Sequence, residues 1–335
     1  MNGSGDAGTG VRWRTIALKG ARLVFVAAIV AAIGYTTVRE WPDVRHTFAS
    51  LAWPALLVSL VMVLAGLGAQ TMAWRAALTD LGHRVGVSTA ARIYLIGLLA
   101  KYLPGSLWSF VLQMELGKRA NVSRSRAFLA GMVALALSTT AALVLGAFGL
   151  PVLFKAGRLI AVLVLTLAPV ALVCSHPRVL TWLTQRFLAV TRRPALDTPL
   201  TWRGVAQVTG WSAVAWVCFG VHLWLLASAA AAPGFGGLVR CVAAFALALT
   251  AGIFAFMSPS GLGVREAIIT AALLPYASPG VALGIALASR VIFTVGDLAA
   301  AGLAALSGLR ARGVRPADQA PVPVVVSGGG GGGEG

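Results

Sequence analysis

Long apolar runs separated by short basic loops are the dominant pattern along this 335-residue chain. They predict helices over 21–38, 53–74, 93–114, 127–153, 159–174, 205–232, 241–257, 264–274 and 281–306. A spanning helix needs about 20 apolar residues, with ~17 as the lower limit. The 264–274 run falls short of that and reads as half of a broken or re-entrant element. The fold class is therefore all-α, a polytopic membrane bundle of about seven to nine hydrophobic segments.

Two segments are interrupted where the bilayer would be deepest. Lys101-Tyr102-Leu103-Pro104-Gly105 lies in the middle of 93–114, and Ser258-Pro259-Ser260-Gly261-Leu262-Gly263-Val264-Arg265-Glu266 follows the 241–257 run. Proline removes a backbone donor and glycine tolerates a bend. Backbone freed at such depth must line a cavity or pack on protein, because lipid supplies no hydrogen bonds.

Loop charges give the expected orientation. Arg75, Arg84 and Arg92 outnumber Asp80, and Lys118, Arg119, Arg124 and Arg126 outnumber Glu115. The positive-inside rule puts both flanks of 93–114 in the cytoplasm, so this element dips in and returns. The 39–50 segment is charge-balanced and reads as an outer loop. Lys155 and Arg158 in a short outer loop are a mild exception. Arg178, Arg186, Arg192, Arg193 and Arg203 face Asp197 alone in the 176–203 loop, which is cytoplasmic and suits an interfacial helix near 179–190. With Arg310, Arg312 and Arg315 inside as well, an odd number of crossings separates Pro233 from the tail. Either three helices cross, or 241–274 is a hairpin entered from outside. The hairpin would make the two broken elements enter from opposite faces, the arrangement that places transporter sites at the midplane.

Composition narrows the class. The chain is 58% hydrophobic and 11% charged, with mean hydropathy +0.86, against roughly 25% charged residues in soluble domains. A net charge of +17 would suit nucleic acid, but the basic residues occupy short loops between apolar runs, which points to orientation and anionic headgroups. Nucleic acid is not expected as a partner. Cys174, Cys218 and Cys241 read as small buried hydrophobes. His46, His83, His176 and His222 share no ligand spacing, so no metal site is expected. Gly3-Ser4-Gly5-Asp6-Ala7-Gly8 matches a dinucleotide fingerprint by letter but follows no strand. With no nucleophile, zinc or phosphate-loop motif, neither catalytic residues nor a cofactor are expected. The 21–38 run, preceded by Arg12, Arg14, Lys19 and Arg22, reads as a first spanning helix and not a cleaved signal. Residues 1–19 are expected to be a flexible cytoplasmic N-terminus, 20–309 the transmembrane domain, and 310–335, with its glycine run, a flexible cytoplasmic tail.

Five ionisable residues remain at or near membrane depth: Lys101, Arg265, Glu266, Arg290 and Asp297. Intramembrane charges are functional candidates by default. Lys101 either snorkels to the interface or stands beside a helix start at Pro104, where free N–H groups make an anion site. Glu266 suits the helix start after Gly263. Arg265 does not, unless an anion binds nearby or an Arg–Glu pair stabilises the turn. Arg290 and Asp297 lie two turns apart on one helix face, so each needs a partner elsewhere; Glu266–Arg290 and Lys101–Asp297 are the expected pairs, structural or functional. Trp108, just past the first break, packs on a headgroup or on the bundle.

Lys101-Tyr102-Leu103-Pro104-Gly105-Ser106-Leu107-Trp108 resembles the K-Y-[IL]-P-G-x-x-W signature of the lysylphosphatidylglycerol synthase transmembrane-region family. Pro259-Ser260-Gly261-Leu262-Gly263-Val264-Arg265-Glu266 resembles its P-x-G-L-G-x-x-E signature. The resemblance implies a membrane domain that moves aminoacylated phospholipids, or serves lipid-linked glycan pathways, in the cytoplasmic membrane. Full-length members add a soluble aminoacyltransferase domain; here the last helix is followed by a glycine tail, so synthase activity is not expected. Ser106 and Ser260 stand where the family often has other residues, leaving lipid specificity open. The expectation is a lipid flippase in the plasma membrane. Its headgroup site comprises Lys101, Tyr102, Pro104, Gly105, Trp108, Gly261, Gly263, Arg265, Glu266, Arg290 and Asp297. Membrane phospholipids with anionic or aminoacylated headgroups are the expected partners. The rivals are a non-catalytic partner of a separate lipid synthase or glycosyltransferase, and a membrane-embedded enzyme.

Overall fold

The computed structural model describes residues 38, 41–102, 108–148, 158–191, 199–231, 233–254 and 261–313. The predicted helix over 21–38, apart from Val38, the predicted N-terminal tail and the predicted C-terminal tail beyond 313 lie outside the described residues; 310–313, expected in that tail, end the last helix. So do Pro104, Gly105, Ser106, Ser258, Pro259 and Ser260. Among the described residues the chain is all helix, with no strands. The elements are α1 Trp41–Ser50, α2 Trp53–Asp80, α3 Val87–Leu98, α4 Trp108–Arg119, α5 Arg124–Phe148, α6 Arg158–Cys174, α7 Pro177–Val190, α8 Trp202–Ala231, α9 Gly234–Phe254, α10 Val264–Leu273 and α11 Pro279–Gly313. A 3₁₀ turn, Leu99–Tyr102, follows α3.

Five of these helices (α2, α5, α8, α9 and α11) are long and apolar enough to cross a membrane. Their burial pattern agrees. Leu57, Val58 and Val61 on α2, Leu165, Leu167, Leu172 and Val173 on α6, and Val291, Val295 and Leu298 on α11 are exposed. A water-soluble protein rarely exposes such broad apolar faces, and lipid is the solvent that suits them. Apolar exterior therefore gives no driving force for bundling, so close contact must come from small residues. α2 and α8 make the most extensive interface. Along it Gly66 lies on the Phe219 ring, and Gly220 of α8 lies directly on the backbone of Val242 in α9.

The first broken segment folds back on itself. α3 and α4 have 12 residues each, about 18 Å, too short for a hydrocarbon core of about 30 Å. Gly97 of α3 lies against Gln113 of α4, and an added Cβ there would approach the Gln113 backbone nitrogen to 3.3 Å. Two helices facing one another across this short chain separation form a hairpin, as the loop charges anticipate. Its open ends lie with Arg84, in the α2–α3 connection, and Lys118, in the last turn of α4.

The second broken segment folds back as well, with α10 running antiparallel to α9. Gly252 of α9 meets Gly261, whose added Cβ would come within 2.6 Å of the Gly252 Cα. Gly261 adopts φ 67° and Gly263 φ 89°, backbone that L side chains resist. At the opposite end, Arg240 of α9 stacks 4.9 Å over Tyr276 and donates to the Ala272 carbonyl at 3.4 Å. Thus α10, ten residues long, returns alongside α9 to the face from which α9 entered. α8 starts where Asp80 accepts from the Thr201 N–H (2.9 Å) and hydroxyl (2.6 Å), and its 30 residues carry the chain about 45 Å to that far face. The two hairpins enter from opposite faces.

Two elements depart from the sequence reading. The 39–50 segment, expected to be an outer loop, forms the helix α1 over Trp41–Ser50. Asp43 sits in its first turn, Val44 and Thr47 are buried, and Gly280 and Gly284 of α11 leave room for Asp43 and Thr47. Its mixed polarity hides a helix whose partner is a glycine face. Cys174, expected to be buried, is exposed, whereas Cys241 is buried; Cys174 ends α6 on its outer side. The interfacial helix expected near 179–190 is α7, bent by 79° from α6. Its Leu180 and Leu188 point inward and Trp182, Leu183 and Phe187 outward, the division of a helix lying in a membrane surface.

Gly220→Ala puts a methyl where the Val242 Cα stands 2.4 Å away, and should destabilise the protein by about 1–3 kcal/mol. Gly210→Ala, with no atom within 4 Å of the added carbon, should leave stability unchanged or raise it. Thermal melting of the two variants in detergent checks both.

Candidate functional site

The five intramembrane charges converge around α11. Its spanning stretch is Pro279–Ser307, and Arg290 and Asp297 lie on either side of its middle. From the first hairpin, the Lys101 ammonium pairs with Asp297 Oδ2 at 2.6 Å, and the Tyr102 hydroxyl donates to the same oxygen at 2.5 Å. From the second, Glu266 Oε1 accepts from the Arg290 guanidinium. Both expected pairs, Glu266–Arg290 and Lys101–Asp297, are therefore formed. Each hairpin thus supplies one partner of a charge pair on α11.

The helix start after Gly263 carries its own anion. Glu266 Oε2 accepts from the Gly263 N–H at 2.7 Å, which satisfies a terminal donor and favours the positive helix end. That N–H is consequently not offered to a ligand. The other expected helix start, at Pro104, lies outside the described residues, and α4 begins at Trp108.

Arg265 stands apart from both pairs. It is 4% exposed and pairs with no carboxylate among the described residues. One of its nitrogens donates to Ser289 Oγ at 3.2 Å, and its guanidinium lies over Phe293 at 4.6 Å and Phe245 at 4.7 Å. Its Nε has no hydrogen-bond partner. Cation–π contact offsets part of the desolvation, yet three cations face two carboxylates here. A buried guanidinium with open donors suits an anion, phosphate above all.

These groups share a cavity of about 220 Å³, lined by Lys101, Tyr102, Arg265, Arg290 and Asp297 at its charged part. Leu67, Tyr94, Leu98, Phe110, Trp216 and Phe219 form apolar walls. The volume is below the roughly 300–1,000 Å³ of pockets that enclose drug-sized ligands, so it has room for a small polar group. Gly261 and Gly263 shape the hairpin tip and do not line the cavity. Trp108 is half-exposed and is also absent from the lining. Pro104 and Gly105 lie outside the described residues. The structure thus brings together Lys101, Tyr102, Arg265, Glu266, Arg290 and Asp297.

One polar group at this depth escaped the sequence reading. His222, fully buried, shares hydrogen bonds with Ser59 Oγ at 2.5 Å and Ser289 Oγ at 3.0 Å. It ties α2, α8 and α11 together and fixes the serine that holds Arg265. A search for metal-ligand spacing passes over it, whereas an isolated polar residue inside the 205–232 run is itself the signal.

Residues 21–301 match the family model described as the lysylphosphatidylglycerol synthase TM region. No curated protein matches the chain.

Asp297→Asn leaves Lys101 without its counter-ion and should destabilise the protein by about 3–5 kcal/mol. The double variant Lys101→Met/Asp297→Asn should recover much of that loss, as melting temperatures of the singles and the double in one detergent will show.

Proposed function

The chain belongs to the lysylphosphatidylglycerol synthase transmembrane-region family, and from that membership and the charged cavity we propose that it is a lipid translocase. It carries a phospholipid with an anionic headgroup across the bilayer. The observation that carries this reading is Arg265, a buried guanidinium that lines the cavity with an open Nε and no carboxylate of its own. The lipid phosphate is its counter-ion, with Lys101 and Arg290 contributing field from either side. Asp297 and Glu266 hold those two cations in place when no lipid is bound.

The geometry supports translocation more than chemistry on the lipid. Among the described lining residues the ionisable groups are engaged with one another or held by aromatic rings, and no activated nucleophile stands there. Hairpins entering from opposite faces, each paired through one residue with the same helix, allow a midplane site to be reached from either side. Arg84 between α2 and α3, Lys118 and Arg119 at the end of α4, Arg124 and Arg126 at the start of α5, and Arg178 and Arg186 of α7 gather on one face, which we assign to the cytoplasm of a plasma membrane.

Sealed proteoliposomes carrying headgroup-labelled anionic phospholipid test this. The wild-type protein should accelerate exchange of label between leaflets without altering the lipid chemically. Arg265→Gln, which keeps the size but loses the charge, should reduce that rate at least about tenfold, the equivalent of 1.4 kcal/mol, with its melting curve intact. Exchange no faster than in protein-free vesicles, or an Arg265→Gln variant as fast as wild type, would overturn the reading.

A further inference from the structure

Arg265 is held by two kinds of contact, and only one of them has direction. The Phe245 and Phe293 rings, 5.4 Å apart, carry its guanidinium at 4.7 and 4.6 Å. Attraction to a ring face depends on distance and leaves open which N–H points where. The bond from Nη2 to Ser289 Oγ at 3.2 Å is the one directional contact of this side chain among the described residues. Whatever holds the Ser289 hydroxyl therefore decides which donors of Arg265 stay free.

One assignment of hydrogens satisfies every group around Ser289. A guanidinium only donates, so Ser289 Oγ accepts from Arg265. Its own proton goes to His222 Nε2 at 3.0 Å, since it has no other acceptor among the described residues. A ring whose Nε2 accepts is neutral and carries its proton on Nδ1. That proton goes to Ser59 Oγ at 2.5 Å, and the Ser59 proton goes to the His222 carbonyl at 3.3 Å. Each hydrogen is used once. Ser59, His222 and Ser289 are all fully buried, which shields these bonds from bulk solvent. The imidazole also stands edge-on to Phe245 and Phe293 at 5.8 and 6.0 Å, the same two rings that carry the guanidinium.

We propose that His222 is a positioning residue for the anion site: as a neutral acceptor it fixes the Ser289 hydroxyl, so that Arg265 is held by one end and its Nε is left free for phosphate. The chain of bonds runs from Ser59 on α2 through His222 on α8 and Ser289 on α11 to Arg265 on α10. It refers the arginine of the second hairpin to α2 and α8, the pair with the most extensive interface in the bundle. A doubly protonated ring would break the link. It would donate from Nε2, leave the Ser289 proton without an acceptor and set a further cation near Arg265. This rests on the translocase reading above, because the phosphate that Nε awaits is the one assigned there.

Two substitutions separate positioning from a purely structural role, because each keeps one end of the imidazole. Counted in bonds from Cα, the amide of asparagine falls at Nδ1 and that of glutamine at Nε2. His222→Asn therefore keeps the Ser59 contact and loses Ser289, and His222→Gln does the reverse. Phosphatidic acid, the simplest phospholipid anion, is titrated onto the full-length protein in detergent and its occupancy read by native mass spectrometry, with a melting curve for each variant. His222→Asn should weaken binding about tenfold, the equivalent of 1.4 kcal/mol, whereas His222→Gln should stay within about threefold of wild type. In an Arg265→Gln background, where the charge is already gone, His222→Asn should weaken binding no further. Ser289→Ala removes the link without touching the histidine and should repeat the His222→Asn loss, even if that variant melts too low to titrate. Equal binding by the His222→Asn and His222→Gln variants overturns the positioning role and leaves the phosphate site standing. So does a His222→Asn loss that persists undiminished without Arg265, or a Ser289→Ala variant as tight as wild type. Wild type that does not bind phosphatidic acid, or Arg265→Gln that binds it as well as wild type, removes the phosphate site and this role with it.

Discussion

A charge in hydrocarbon has no water to answer it, and the whole architecture follows from where Asp297 is placed. Near the middle of the α11 span, its carboxylate must find a cation from the protein itself. Lys101 supplies it at 2.6 Å, and Lys101 can be there only because its own helix stops short. The broken backbone and the buried acid are therefore one device: the hairpin brings the cation in, and the acid makes its depth tolerable. Arg290 and Glu266 repeat the arrangement from the opposite face.

Close packing of these hairpins depends on the absence of side chains at a few positions. Gly97 admits Gln113, Gly252 admits the Gly261 backbone, and Gly280 and Gly284 admit α1. In water such contacts would be secondary to burying apolar surface. In lipid, where apolar side chains gain little by leaving the surface, they supply much of the dispersion energy that holds helices together. The same glycines therefore fix both the bundle and the shape of its cavity.

Most of this arrangement was legible in the residues. The apolar runs marked the long helices, because a hydrocarbon-spanning segment leaves little compositional freedom. The loop arginines marked the α3–α4 element as re-entrant, and the isolated charges marked both ion pairs. Charge counting alone left the α9–α10 segment with two topologies; how closely its two helices fold back lay in the Gly252–Gly261 contact, which no local pattern encodes. The helix α1 was missed because its apolar face is one turn wide and its partner is glycine. His222 was missed because an uncharged polar residue inside an apolar run looks tolerable on its own. Its meaning comes from convergence, with Ser59 and Ser289 meeting it from two other helices.

α11 takes one partner from each hairpin, at positions seven residues apart. Separating Lys101 from Asp297 leaves Arg290 on Glu266, and the reverse holds as well. The two latches share a single post but not a single hinge, so a door on one side can swing while its opposite number stays shut. A bundle closed by full-length helices would have to tilt as a whole to achieve the same.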